Sequence, residues 1–262
     1  LAGLTSAWVA SAGTVTVDTT NPTVASGVSV PSYTTTTSAN VTFTAGTDTN
    51  ITTSNVKMCT ANDCTTGCVG ATTGNSPTSV GSLSNGTSYY GCVQSRDLAG
   101  NTSAWTASGT TVVVDTTNPT VPTALSVPGY SNTTSASVTF TAGTDTNITT
   151  SNVKMCTAND CTTGCVGATT GNSPTSVGSL ANGTAYYGCV QSRDLATNTS
   201  AWVASAATVT VDTTNPTAAS AVSVPSYTTT TSANVTFTAG TDTNITTSNV
   251  KMCTANDCTT GC

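Results

Sequence analysis

Four cysteines recur in each full copy of a 97-residue stretch, in the first copy Cys59, Cys64, Cys68 and Cys92, with the spacing C-x4-C-x3-C-x23-C. Thiols in this pattern have two chemistries open to them, oxidation to disulfides or coordination of a soft metal. The chain has no His, which removes mixed Cys/His zinc sites, and the spacing lacks the paired C-x-x-C knuckles of an all-thiolate site. Disulfides are the expectation, formed by Cys59, Cys64, Cys68 and Cys92, by Cys156, Cys161, Cys165 and Cys189, and by Cys258 and Cys262. Four cysteines allow three pairings, and spacing alone does not choose.

Catalysis fails on inventory. With neither His nor Glu, and one Lys in each repeat, a general base would have to be an Asp acting alone. Any Ser or Thr nucleophile lacks a partner, so the chain is read as no enzyme. The lone Lys57 raises the question of an isopeptide cross-link, which needs a Lys buried beside a carboxylate. Lys57 falls on the outward phase between Val56 and Met58, so a solvated Lys is expected instead. N-x-[S/T] sequons stand at Asn40, Asn50, Asn85, Asn101, Asn132, Asn147, Asn182, Asn198, Asn234 and Asn244. N-glycosylation of these is an expectation, and the Thr runs at 34–37 and 228–231 could take O-glycans.

The elements that position these residues must be built from an unusual composition. In 262 residues there are 11 Asp, five Lys plus Arg and a formal net charge of −6, and charged residues make up 6% of the chain. That is far below the roughly 25% of an average globular domain. A surface so poor in long charged side chains is covered by Thr, Ser, Asn and Gly, which favour strands and turns over helices. No basic cluster exists to neutralise phosphates, so nucleic acid is excluded as a partner. The apolar runs are a few residues long, far short of the ~20 that span a bilayer. Eleven cysteines beside so few lysines place the chain outside the reducing cytosol, secreted or on a cell surface.

Self-similarity decides the organisation. Cys59, Cys156 and Cys253 recur at the same interval as Trp8, Trp105 and Trp202, and 43 consecutive residues at 41–83 return unchanged at 138–180. The expected domains are a C-terminal strand of a preceding partial module at 1–17, complete β-sandwich modules at 18–114 and 115–211, and the N-terminal part of a third module at 212–262. Within a module, alternating segments lie between turn residues. Val41, Phe43 and Ala45 share one face of a strand, as do Val56 and Met58 in the next. Val80 and Leu83, Tyr89 and Val93, then Val112 and Val114 continue the pattern, with Asn85-Gly86 and Ala99-Gly100-Asn101 as turns. About seven strands per module follow, and the fold class is all-β, a tandem array of disulfide-linked immunoglobulin-like sandwiches.

The run Leu83-Ser-Asn-Gly86-Thr87-Ser-Tyr89-Tyr-Gly-Cys-Val93-Gln-Ser-Arg-Asp97-Leu-Ala-Gly100-Asn101 resembles the end of a fibronectin type III module, where L-x-x-G-T-x-Y-x-x-x-V leads into D-x-A-G-N. The likeness extends to bacterial immunoglobulin-like repeats of surface and filament proteins. It departs in the second strand, where Phe43 replaces the family's common Trp. The resemblance implies that Tyr89 is a tyrosine corner. It also makes the strands carrying Cys59 and Cys92 neighbours. Both cysteines fall on the outward phase, which favours Cys59–Cys92 with Cys64–Cys68, Cys59–Cys68 with Cys64–Cys92 being the main alternative. The resemblance further gathers Asp18, Asp48, Asp97 and Asn101 at one pole, where their oxygens could hold Ca²⁺. The competing reading is that these side chains cap their own turns. Calcium is the one cofactor the sequence suggests.

Three functions survive this reading: a structural filament or stalk, an adhesin or accessory module recognising glycan or protein ligands, and ice or crystal-surface binding through Thr arrays. Self-association is the preferred partner class, because few edge-blocking lysines are present.

Overall fold

The computed structural model describes residues 3–262, and every strand in it is antiparallel or edge-parallel β with no helix. Contacts divide the chain into two compact units, one of residues 1–121, 143–150 and 191–201, the other of residues 122–142, 151–190 and 202–262.

The first unit contains β1 (Ser26–Ser29), β2 (Tyr33–Thr34), β3 (Ala39–Thr44), β4 (Ser54–Cys59), β5 (Val69–Gly74), β6 (Thr78–Val80), β7 (Ser88–Gln94) and β8 (Thr106–Val114). They form a three-stranded sheet in the order β1-β3-β6 and a five-stranded sheet in the order β2-β8-β7-β4-β5. The expected seven strands are thus eight, the extra one being the two-residue β2, which runs parallel to β8. Alternation places the side chains as read from sequence. In β3, Ala39, Val41 and Phe43 are buried while Asn40, Thr42 and Thr44 face solvent. They pack with Val56, Met58, Val80, Leu83, Tyr89, Val93, Val112 and Val114 in one core.

This core is built from medium-sized residues, and valine side chains pack directly onto the backbone of β7 where a glycine leaves room. At Gly91, in the middle of β7, an added Cβ would lie 2.8 Å from Val30 and 2.9 Å from Val41. Small hydroxyls satisfy the interior backbone: Ser108 Oγ accepts from Gly91 N at 3.0 Å, and Ser95 Oγ accepts from Gly46 N at 2.8 Å. Tyr89 forms the corner, its hydroxyl accepting from Ser84 N at 3.3 Å.

The second unit repeats the plan with β9 (Thr123–Ser126), β10 (Tyr130–Ser131), β11 (Ala136–Thr141), β12 (Ser151–Cys156), β13 (Val166–Gly171), β14 (Thr175–Val177), β15 (Ala185–Gln191) and β16 (Val203–Val211). Its sheets are ordered β14-β11-β9 and β10-β16-β15-β12-β13. It also holds the last repeat, where only β17 (Ser220–Ser223) and β18 (Thr236–Thr238) pair. There Val250 and Met252 are half-exposed, whereas their counterparts Val56 and Met58 are fully buried.

The terminal strand expected at 1–17 does not form over residues 3–17, and residues 1 and 2 lie outside the described residues. The cause is pairing. Residues 9–17 correspond to β8, which is held by β7 on one side and β2 on the other, whereas no strand pairs with them. Trp8, Val9 and Val15 are consequently exposed.

Candidate functional site

The cysteines lie on the face of the five-stranded sheet opposite the main core. β4 and β7 are neighbours, and both Cys59 and Cys92 point away from the core, as alternation predicts. The favoured pairing is nevertheless overturned. The register sets Cys92 opposite Lys57 and Cys59 opposite Tyr90, so the two cysteines are diagonal partners. Diagonal Cα atoms in an antiparallel pair sit roughly 7–8 Å apart, beyond the usual reach of a disulfide. The loop at 60–67 instead folds back over the sheet. It brings Cys64 to Cys92 with Cα atoms 5.7 Å apart, and Cys68 to Cys59 at 3.9 Å. The second repeat has the same interleaved pair, Cys156–Cys165 and Cys161–Cys189. In the last repeat, the expected Cys258–Cys262 bridge is replaced by Cys253–Cys262, and Cys258 is a free, exposed thiol.

Local chemistry shapes this loop. Asp63 Oδ1 accepts from the N–H groups of Thr65 and Thr66 at 2.8 and 2.9 Å, and its Oδ2 accepts from the Thr66 hydroxyl at 2.6 Å. The Thr66 hydroxyl, then the two N–H groups, hold the Asp63 carboxyl well below the usual carboxylate range. Asp160 and Asp257 are held in the same way. Gly67 turns the chain at φ +58°, where an added Cβ would come within 2.2 Å of Thr60 Oγ1.

Cys59, Cys64 and Cys92 form a small second core, with Cys68, Trp105 and Ala107 packed against it. Lys57 leaves the sheet on this side, and its Nζ lies 3.9 Å from the Trp105 ring centroid. Lys57 is therefore outward, as expected, but rests on an aromatic face rather than standing free. Lys154 lies over Trp202 in the same way at 4.0 Å.

The quartet Asp18, Asp48, Asp97 and Asn101 does not assemble as a carboxylate cage. Asn101 Nδ2 donates to Asp97 Oδ2 at 2.8 Å and to the Asp18 carbonyl at 3.0 Å, and Asn101 N donates to Asp97 Oδ1 at 2.8 Å. Asp18 Oδ1 accepts from Thr20 N, and Asp48 Oδ1 accepts from its neighbour Thr49 N. The amide of Asn101 thus bridges loop and linker. Among the described residues no three Asp or Cys side chains converge as a metal cluster. Burial pushes the Asp97 carboxyl up, but the bonds from Asn101 and from the Gly100 and Ala99 N–H groups outweigh it and leave it below the usual range.

The sequons fall into four sets. Asn40, Asn132 and Asn234 are exposed. The amides of Asn101 and Asn198 are engaged with Asp97 and Asp194. Asn85, though exposed, holds the linker: its Nδ2 donates to Thr117 Oγ1 at 2.8 Å and its Oδ1 accepts from Thr116 N at 2.8 Å. Asn182 holds Thr213 and Thr214 with the same two bonds in the second unit. Asn50, Asn147 and Asn244 stand on a further loop, where Asn244 Nδ2 donates to Asp212 Oδ2 at 3.0 Å. The Thr run at 34–37 turns inward on its own loop, Thr34 and Thr36 both donating to the Ser38 carbonyl.

No family model matches the chain, and no curated protein matches it. Among solved structures, the FN1–FN3 domains of chicken CNTN1 are similar, with a TM-score of 0.48 and 14% identity over 72% of this chain and 68% of that one. The fold is fibronectin type III-like. That statement rests on the three-stranded sheet facing the sheet ordered β8-β7-β4-β5 and on the Tyr89 corner. With its disulfides, the repeat has the character of an extracellular structural or binding module.

Two features escaped the sequence reading. The role of Trp105 is signalled only by its recurrence with the repeat, because Lys57 on β4 lies across β7 from the strand that follows Trp105. The linker-holding role of Asn85 was hidden because Asn-Gly is sufficiently explained as a turn.

Proposed function

We propose that the chain is part of an extracellular filament or cell-surface stalk built from near-identical, disulfide-stapled sandwiches. The observation that carries this reading is the linker bond. In each unit an Asn-Gly turn grips the first residues of the following repeat through both atoms of its amide, Asn85 on Thr116 and Thr117, Asn182 on Thr213 and Thr214. A linker fixed in this way suits modules that bear load, whereas independent binding modules work on free tethers. The interleaved staples of both complete repeats support the same reading, as does the lack of His and Glu for catalysis. Self-association fits the edge strand β5, whose Val69–Gly74 carries no charged side chain to block pairing.

Negative-stain microscopy of native material tests this. Thin filaments with a period near one module length are the expected result. Isolated beads attached to a larger catalytic body would overturn it in favour of the adhesin or accessory-module reading, which draws on the exposed rings of Tyr130 and Tyr227. Ice binding through flat Thr arrays is not supported, because the Thr34 and Thr36 hydroxyls are bonded within their own loop.

A further inference from the structure

Asp115, the first linker residue after β8, is 6% exposed. Its Oδ1 accepts from Thr117 N at 3.1 Å, and its Oδ2 is the one buried side-chain oxygen or nitrogen without a partner among the described residues. A buried carboxylate oxygen left unpaired is costly, and native structures rarely tolerate one without an ion or a donor. Asp115 lines a cavity of about 260 Å³ inside the first unit, together with Asn85, Thr117, Asp145, Thr146 and Asn147. No Lys or Arg contributes to that wall.

We propose that this cavity binds a divalent cation of the Ca²⁺ type, with Asp115 and Asp145 as charged ligands and the Asn147 amide oxygen as a neutral one. The donor set is all oxygen, which selects hard cations over zinc or copper. Two carboxylates balance the charge of one divalent ion. Asp115 and Asp145 are the counterparts of Asp18 and Asp48 one repeat on. The site uses Asn147 in place of the pair Asp97 and Asn101, whose counterparts Asp194 and Asn198 are bonded to each other.

The last repeat shows the other solution to the same problem. There the counterpart of Asp115 is Asp212, and Asn244, the counterpart of Asn147, donates to its Oδ2 at 3.0 Å. An amide donor silences the oxygen in that repeat. In the first unit Asn147 lines the same cavity as Asp115 without such a bond, leaving Oδ2 for a cation.

The test uses the whole chain, stripped with chelator and titrated with Ca²⁺ alone, read by calorimetric titration and by the thermal midpoint. Saturable binding with a raised midpoint is expected. Asp115→Asn and Asp145→Asn should each weaken binding at least tenfold, while Asp212→Asn leaves it unchanged. Asp145 is half-exposed, so its variant keeps the test valid should Asp115→Asn fail to fold. No binding by the unaltered chain overturns the proposal, as does binding that persists undiminished in Asp145→Asn.

Discussion

Lys57 Nζ sits 3.9 Å from the centroid of the Trp105 ring, and the same Trp105 packs against the buried Cys59, Cys64 and Cys92. The indole thus touches both the disulfide cluster and the Lys ammonium. Trp105→Ala should therefore cost more than Lys57→Ala, about 2–3 kcal/mol against about 0.5–1 kcal/mol. Chemical denaturation of the oxidised chain measures both, and the double variant should show coupling between them.

The interleaved bridges differ in the length of chain they close. In the chain-entropy picture the 28-residue loop of Cys64–Cys92 is worth about 3.5 kcal/mol and the nine-residue loop of Cys59–Cys68 about 2.5 kcal/mol. Replacing Cys64 and Cys92 together by Ser should lower the unfolding midpoint more than replacing Cys59 and Cys68. Peptide mapping without reduction should recover Cys59–Cys68 and Cys64–Cys92 linkages.

Acid should loosen the loop at 97–101. The Asp97 carboxyl is held below its ordinary value of 3.8 in the folded chain. A depressed carboxylate contributes stability that is complete above the unfolded value and is lost as pH falls through the folded one. Asp97→Asn should hence destabilise the first unit at neutral pH, by a margin that shrinks as pH falls below the ordinary carboxylate value of 3.8. Thermal midpoints across that range show whether the two curves converge.

Glycan occupancy should follow the hydrogen bonds. If the native chain is N-glycosylated, glycopeptide mass spectrometry should find sugar at the exposed Asn40, Asn132 and Asn234. Asn101 and Asn198 should be bare, because their Nδ2 atoms already donate to Asp97 and Asp194. Native material at the bare 25.8 kDa sequence mass would remove glycosylation altogether.

Much of the sandwich is legible in sequence because a period of two is unambiguous where one face is apolar. Val41 and Phe43, or Val56 and Met58, have only one way to face a core. The disulfide pairing was not legible for a related reason. Phase tells which side of a strand Cys59 and Cys92 occupy, but register tells which residue each one meets, and register depends on the tertiary pairing of β4 with β7. The unpaired oxygen of Asp115 is of the same kind. Its sequence neighbours Thr116 and Thr117 predict a capped turn, and only the folded loop at 145–147 reveals what faces it. The segment 3–17 failed to become a strand because a strand is a property of its partner as much as of its own residues.

The interleaving of the two bridges also governs how far a module can be drawn out. Cys59 and Cys92 are separated by 33 residues, yet the covalent route through the sulfurs crosses from Cys59 to Cys68, back four residues to Cys64, and over to Cys92. Under tension on its two ends, an oxidised repeat withholds roughly 90 Å of contour that a reduced one would release. Redox state sets the maximum extension of each repeat.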